Sequence, residues 1–95
     1  MSKLTVVAKI IAKKDSVETV KSELLKLVPL TRKEAGCIEY NLHQDNEDPA
    51  VFVFYETWDT PASLENHMNS DHFKSYVNAV GNLIEEKVVH KMTRL

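Results

Sequence analysis

Ninety-five residues, 43 % hydrophobic and 27 % charged, allow one soluble domain over 1–95 and leave too little chain for a second core. A formal charge of −2, with Lys13-Lys14 and Arg32-Lys33 the only adjacent basic pairs, argues against a nucleic-acid partner. Cys37 stands alone, so an internal disulfide or zinc-finger-like site is excluded. Nothing resembles a membrane span or signal peptide, and the expected address is the cytoplasm.

Leu4 to Ala12 alternates and is rich in Val and Ile, which predicts a first strand. Asp15, with Glu18 three residues on, offers a cap for a long amphipathic helix along Val17, Val20, Leu24, Val28, Thr31 and Ala35. Pro29 is expected to loosen its last turns and Gly36 to stop it. Cys37 to Gln44 and Val51 to Trp58 read as a hairpin around the polar turn Asp45-Asn46-Glu47-Asp48-Pro49. Thr60-Pro61 opens a short helix to about Asn69, and Ser70-Asp71 caps another with Phe73, Tyr76, Val77 and Val80 on one stripe, ended by Gly81. Val88 to Leu95 is the predicted last strand. The order β-α-β-β-α-β predicts an α+β, ferredoxin-like fold, with helices on one face of a four-stranded antiparallel sheet.

The strands do not follow the alternation expected when one face is wet. The first carries Leu4, Val6, Ala8 and Ile10 on one parity, yet Val7 and Ile11 on the other. The third sets Phe52, Phe54 and Trp58 against Val51, Val53 and Tyr55, and the last Val88 and Met92 against Val89 and Leu95. Each such side chain left in water forgoes about 1.5–3 kcal/mol of burial. A two-fold homodimer, packed sheet to sheet, is the expected remedy.

Chemistry concentrates between Phe54 and Tyr76. Glu56 and Trp58, two apart on one strand face, run into the Pro-started helix, which is followed by His67, His72-Phe73 and Tyr76. So many polar-tipped aromatics close together predict a small-molecule pocket.

Three segments carry a family resemblance: Glu34-Ala35-Gly36-Cys37-Ile38-Glu39-Tyr40; Phe52-Val53-Phe54-Tyr55-Glu56-Thr57-Trp58; and Ala62, His67 and His72-Phe73-Lys74. Together they resemble the antibiotic biosynthesis monooxygenase family. The resemblance runs from first strand to last and implies a dimeric αβ-barrel with a pocket between sheet and helices. It also implies candidate activities: oxidation of quinols or polycyclic phenols without metal, flavin or haem, haem degradation, or isomerisation of a phosphorylated signalling sugar derivative. Fold is better specified by it than reaction.

Oxygenation without a cofactor needs an electron-rich phenol or quinol made anionic, a base, and an apolar cavity with aromatic walls. With two glycines the chain has no nucleotide-binding fingerprint, and no cofactor is expected. His67, three residues after Leu64, is the candidate base; its structural alternative is a buried histidine tying helix to sheet. Tyr40, on the parity of Ile38 and Leu42, could hold a phenolic substrate. His72 could do so with Tyr76, one turn on, or sit at the surface. Glu56 reads as an anchor that orients a histidine or meets backbone amides, and Trp58 and Phe73 as pocket wall. Cys37 reads as an inert thiol, while Asn41, His43 and His90 point to the dimer side or solvent. His67 and His72, five apart around a helix, do not suggest a metal site.

Haem degradation is disfavoured, because the positions its relatives would use fall on Val7 or Ala8, His67 and about Val77. The isomerase would need positive charge from Lys74, Lys91 or Arg94, which nothing in the sequence places together. A non-catalytic dimer that binds a hydrophobic ligand is the third reading.

Overall fold

The computed structural model describes residues 3–95. Strands β1 (Leu4–Ala12) and β3 (Val51–Trp58) form the centre of an antiparallel sheet ordered β2-β3-β1-β4, with β2 (Cys37–Gln44) and β4 (Ile84–Met92) at its edges. Val6, Ala8 and Ile10 face Glu56, Phe54 and Phe52 in register, and these six, with Ala12 and Trp58, are buried beneath the helices. The ferredoxin-like order expected from the pattern is the one found.

Helix α1 (Val17–Arg32) lays Val20, Leu24, Leu27 and Thr31 on this face. It departs from expectation at both ends. Asp15 lies in a 3-10 turn over Lys14–Ser16, and no side chain caps α1. Pro29 does not loosen the helix, because it and Leu25, whose carbonyl loses its helical donor, are both exposed and water can serve that oxygen. The helix stops at Arg32, and Gly36 takes φ +86° in the following turn. The caps foreseen for α2 (Pro61–Met68) and α3 (Asp71–Val80) are present: Thr60 Oγ1 accepts from Ser63 N at 3.2 Å and Ser70 Oγ from Phe73 N at 3.3 Å.

Two details of the strands differ from the sequence reading. β4 runs from Ile84 to Met92 rather than from Val88 to Leu95; Glu85, Glu86 and Lys87 hide its start, since an edge strand tolerates charges that a central one would not. Ile38 is the extra residue of a bulge, so Cys37 pairs with Trp58 on the core side while Ile38 is left 47 % exposed. That reverses the faces expected for these two and leaves Tyr40 and Leu42 pointing inward.

Among the described residues no element covers the opposite face. Val7, Ile11, Val51, Val53 and Val88 are half-buried there by their neighbours, and Tyr55 and Met92 are exposed. Among the described residues no helix is long and apolar enough to cross a membrane.

Candidate active site

The covered face of the sheet is built in cross-strand rows. Tyr40, Glu56, Val6 and Lys91 form one; Leu42, Phe54, Ala8 and Val89 the next; Gln44, Phe52, Ile10 and Lys87 the third. Ala8 is the smallest side chain and stands near the middle. Above it Leu27, Leu64, His67, Met68, Phe73 and Tyr76 roof a cavity of about 240 Å³. Its lining is aliphatic and aromatic except for Tyr40, Glu56, His67, Tyr76, Lys87 and Lys91.

The polar centre of the roof is assembled by a turn and a helix break. Gly36 follows α1, and a side chain there would collide with Ser63 and Asp59 at the start of α2. Asp59 N donates to Gly36 O at 2.9 Å, which locks the turn against α2. Glu34, in that turn, thereby reaches His67. α2 ends at Met68 and Ser70 caps α3, with Ser70 Oγ donating to His67 O at 2.6 Å. His67 and His72 therefore lie on different helices, not around one. Both converge on a single oxygen: His67 Nδ1 stands 2.7 Å and His72 Nε2 2.6 Å from Glu34 Oε2.

This geometry sets the tautomer of His67. A carboxylate oxygen only accepts, so Nδ1 carries the hydrogen and Nε2 keeps its lone pair. Nε2 has no protein partner, yet among the described residues only Thr31 Oγ1 is sealed off without one. His67 Nε2 is therefore not fully enclosed, and the ring lines the cavity. Burial lowers the imidazole's pKa, partly offset by the Glu34 hydrogen bond and charge, while His72 lowers it further. The result is a neutral imidazole held in one orientation.

Glu56 is held differently. It lies at the floor, and Trp58 Nε1 donates to its Oε1 at 2.9 Å. Burial raises its pKa to about 7, with the Trp58 hydrogen bond opposing and Glu34 reinforcing the rise. Burial and then Glu56 push the Tyr40 phenol well above its usual range. Tyr76 is raised to about 12 by burial. Both phenols are thus neutral donors. Cys37 is pushed up to about 11, first by burial and then by Glu34 and Glu56, which makes the thiol a poor nucleophile.

Of the residues singled out from sequence, His67, Tyr40, Glu56, Phe73 and Tyr76 line the cavity. Trp58 and His72 do not. Trp58 is 0 % exposed and lies behind the wall, 5.0 Å from the His67 ring, with its indole tied to Glu56. His72 faces a hollow between α1 and α3 and touches the site only through Glu34. The carboxylate that orients the histidines is Glu34, not Glu56. Its ligand atom and those of His67 and His72 lie within 4.8 Å of one another, a set able to close on a divalent ion. As they stand they are direct hydrogen bonds, shorter than the separation of about 3 Å or more between neighbouring ligands of one ion.

Comparison with known proteins places this architecture. The family model for antibiotic biosynthesis monooxygenase matches residues 3–79. The chain belongs to this family. The solved structure of PA3566 from Pseudomonas aeruginosa superposes with a TM-score of 0.96 at 36 % identity, over 100 % of this chain and 96 % of that one. A protein of Escherichia coli named "Probable quinol monooxygenase YgiN" is 31 % identical over 80 residues, 75 % of this chain and 77 % of that protein. Against sll1783 of Synechocystis the match is 28 % over 65 residues and takes in 68 % of this chain but 44 % of that protein.

Within this antibiotic biosynthesis monooxygenase domain, sequence reasoning overlooked Glu34 as a site residue, although it opens the first family segment. Its partners lie 33 and 38 positions away, beyond the reach of any spacing rule. The available signal was Gly36, whose enforced close approach brings the turn against α2.

Proposed function

We propose that the chain oxidises a quinol or polycyclic phenol with dioxygen, using no cofactor, with His67 as general base. The observation that carries this reading is a lone pair on His67 Nε2, fixed by Glu34 and opening on an apolar cavity. The substrate hydroxyl gives its proton to Nε2. The phenolate then passes one electron to dioxygen, and the radical pair combines to form a carbon–oxygen bond. Cleavage of the oxygen–oxygen bond and loss of the ring hydrogen give quinone and water, so a phenol and one dioxygen become one quinone and one water. Glu56, with a pKa near neutrality, is suited to return a proton to the departing oxygen. Tyr40 and Tyr76 supply neutral hydroxyls for orientation.

The test is anaerobic mixing with a panel of naphthoquinols and anthrones, followed by admission of oxygen. Quinone formation well above the uncatalysed rate, lost in His67→Ala with binding retained, is the expected result. No acceleration with any member, or equal rates for wild type and His67→Ala, would remove the oxygenase reading.

The working unit we propose is a homodimer, with the uncovered sheet face of each copy packed on the other around a two-fold axis. Tyr55 and Met92 stand exposed on a face that also carries Val7, Ile11, Val51, Val53 and Val88, a patch apolar enough to hide itself. Light scattering should give twice the chain mass for wild type and the chain mass for Tyr55→Glu. A monomeric wild type refutes the dimer.

A further inference from the structure

The edge strand β4 bounds the cavity with an unusual pair. Lys87, Val89 and Lys91 all turn to the covered face and all line the cavity. All three are exposed, so the cavity opens to water along this strand. Neither lysine pairs with a carboxylate. Glu85 and Glu86 precede Lys87 without bridging to it, and the cavity's own acid, Glu56, lies on β3, with β1 between it and Lys91. The Lys87 ammonium sits 5.9 Å from the centre of the Phe73 ring, so one cation is held over a wall of the cavity. Inward lysines also guard an edge against pairing with another strand, but that service does not require them at the rim of an apolar cavity.

The two ends of the cavity therefore differ. At the β3 side stand His67, Glu56 and Tyr40, groups that accept or donate a proton. At the β4 side stand two ammonium groups with no anion. Glu56 and Lys91 share a cross-strand row and are two strand spacings apart, about 10 Å along the sheet. We propose that the substrate is an amphiphilic aromatic acid. Its ring system lies over Ala8 between Phe54 and Phe73, its reactive hydroxyl meets His67, and an anionic group at the far end is held by Lys87 and Lys91. This rests on the oxygenase reading only for the hydroxyl end; recognition of the anion is a binding property and stands or falls alone. Carboxylate and phosphate would satisfy the same ammonium pair, and the test separates them.

The probes are fluorescent: a hydroxynaphthoic acid with hydroxyl and carboxyl at opposite ends of the ring pair, its methyl ester, and the naphthyl phosphate of the same outline. Binding is read by fluorescence titration under nitrogen, so turnover does not enter. Wild type should bind one of the anions at least about tenfold more tightly than the ester, as expected for a charge-assisted contact. Added salt should erode that preference. Lys87→Met with Lys91→Met keeps the aliphatic stems and should bring acid and ester to equal affinity, with thermal unfolding unchanged as the control for folding. Tighter binding of the phosphate than of the carboxylate names phosphate as the group; the reverse names carboxylate. Equal binding of both anions and the ester by wild type overturns the proposal, and so does a preference that survives in the double variant. An anion held in a lysine-dependent way but never oxidised would leave this inference standing and sink the oxygenase reading. A neutral quinol oxidised with no anion preference would do the opposite.

Discussion

Glu34 reaches the site from the turn after α1 and collects two imidazole donors at 2.7 and 2.6 Å, whereas Glu56 rises from the sheet floor and collects one indole donor at 2.9 Å. Both are carboxylates beside a mainly apolar cavity, and their surroundings set them apart. Glu34 spends both hydrogen bonds on one oxygen, and that oxygen acts only as an acceptor, so it determines which nitrogen of His67 is left free. Glu56 has one donor against near-complete burial, and its pKa climbs to about 7. Donor count and burial, not residue type, decide which carboxylate orients an imidazole and which has its pKa raised.

The largest effect tests the arm that Glu34 serves. His67→Ala removes the imidazole proposed as the base, and kcat should fall by about 10²- to 10⁴-fold with binding retained. Glu34→Gln should follow at about 10- to 100-fold. The amide oxygen keeps two lone pairs and can still accept from both rings, but the carboxylate charge that holds them is gone and a donating nitrogen stands beside it. Where the amide nitrogen turns to His67 instead, that ring offers its Nδ1 lone pair, the proton moves to Nε2 and the proposed base is lost. A merely structural role would leave the pH profile in place. Here the acid limb of kcat should shift to lower pH in Glu34→Gln, because Glu34 is what holds the His67 pKa up against burial. An unmoved limb would break the contrast between the two carboxylates.

Glu56→Gln tests the other arm through stability. Unfolded, the carboxyl titrates at 4.5; folded, at about 7. Below 4.5 both states hold the proton and no penalty is present. As pH rises from 4.5 to 7 only the folded state keeps it, so wild-type stability falls by about 3 kcal/mol and is then flat. Glutamine keeps an acceptor for the Trp58 indole and cannot ionise. Denaturant melts should therefore find Glu56→Gln more stable than wild type by up to about 3 kcal/mol at pH 8, and close to it at pH 4. His67 runs the other way: its lowered pKa contributes stability above its unfolded value of 6.5 that is lost as pH falls through the folded one. Glu56→Gln leaves that acid limb in place, which separates the two groups in the same titration.

How much of this was legible in the sequence depends on how far each contact reaches. Caps at Thr60 and Ser70, and the alternation of Val6, Ala8 and Ile10, are local signals, and the folded chain keeps them. The start of β4 was hidden because Glu85-Glu86-Lys87 is charged on both parities, which an edge strand permits. The bulge at Ile38 leaves no mark in composition, yet it exchanges the faces of Ile38 and Cys37. His67, Tyr40, Glu56, Phe73 and Tyr76 were named because strand parity and helical spacing aim them at one place. Glu34 was not, since the turn at Gly36 and the break at Asn69-Ser70 are both needed before it meets His67 and His72. Ser70-Asp71 marked the break, yet a spacing of five counted around a single helix runs straight across it.

The smallest effect isolates the one hydrogen bond that Glu56 has. Trp58→Phe removes the donor to Oε1 and leaves a void where the indole was. The void costs the same at every pH, so the loss at one pH says little about the carboxylate. The hydrogen bond does not behave that way. It is worth about 0.5–1.5 kcal/mol to a neutral partner and about 1.5–3 kcal/mol to a charged one. Trp58 also holds the Glu56 pKa below where burial alone would put it, so without the indole the carboxyl should titrate above 7. Trp58→Phe should thus be more destabilising at pH 8 than at pH 5 by about 1 kcal/mol. In a Glu56→Gln background that difference should vanish, since glutamine offers the same acceptor at both values. The double-mutant cycle reads only the pH-dependent part, and the void cancels from it. If the excess loss at pH 8 persists with glutamine in place, the indole acts through packing against His67, and the charge of Glu56 is governed by burial alone.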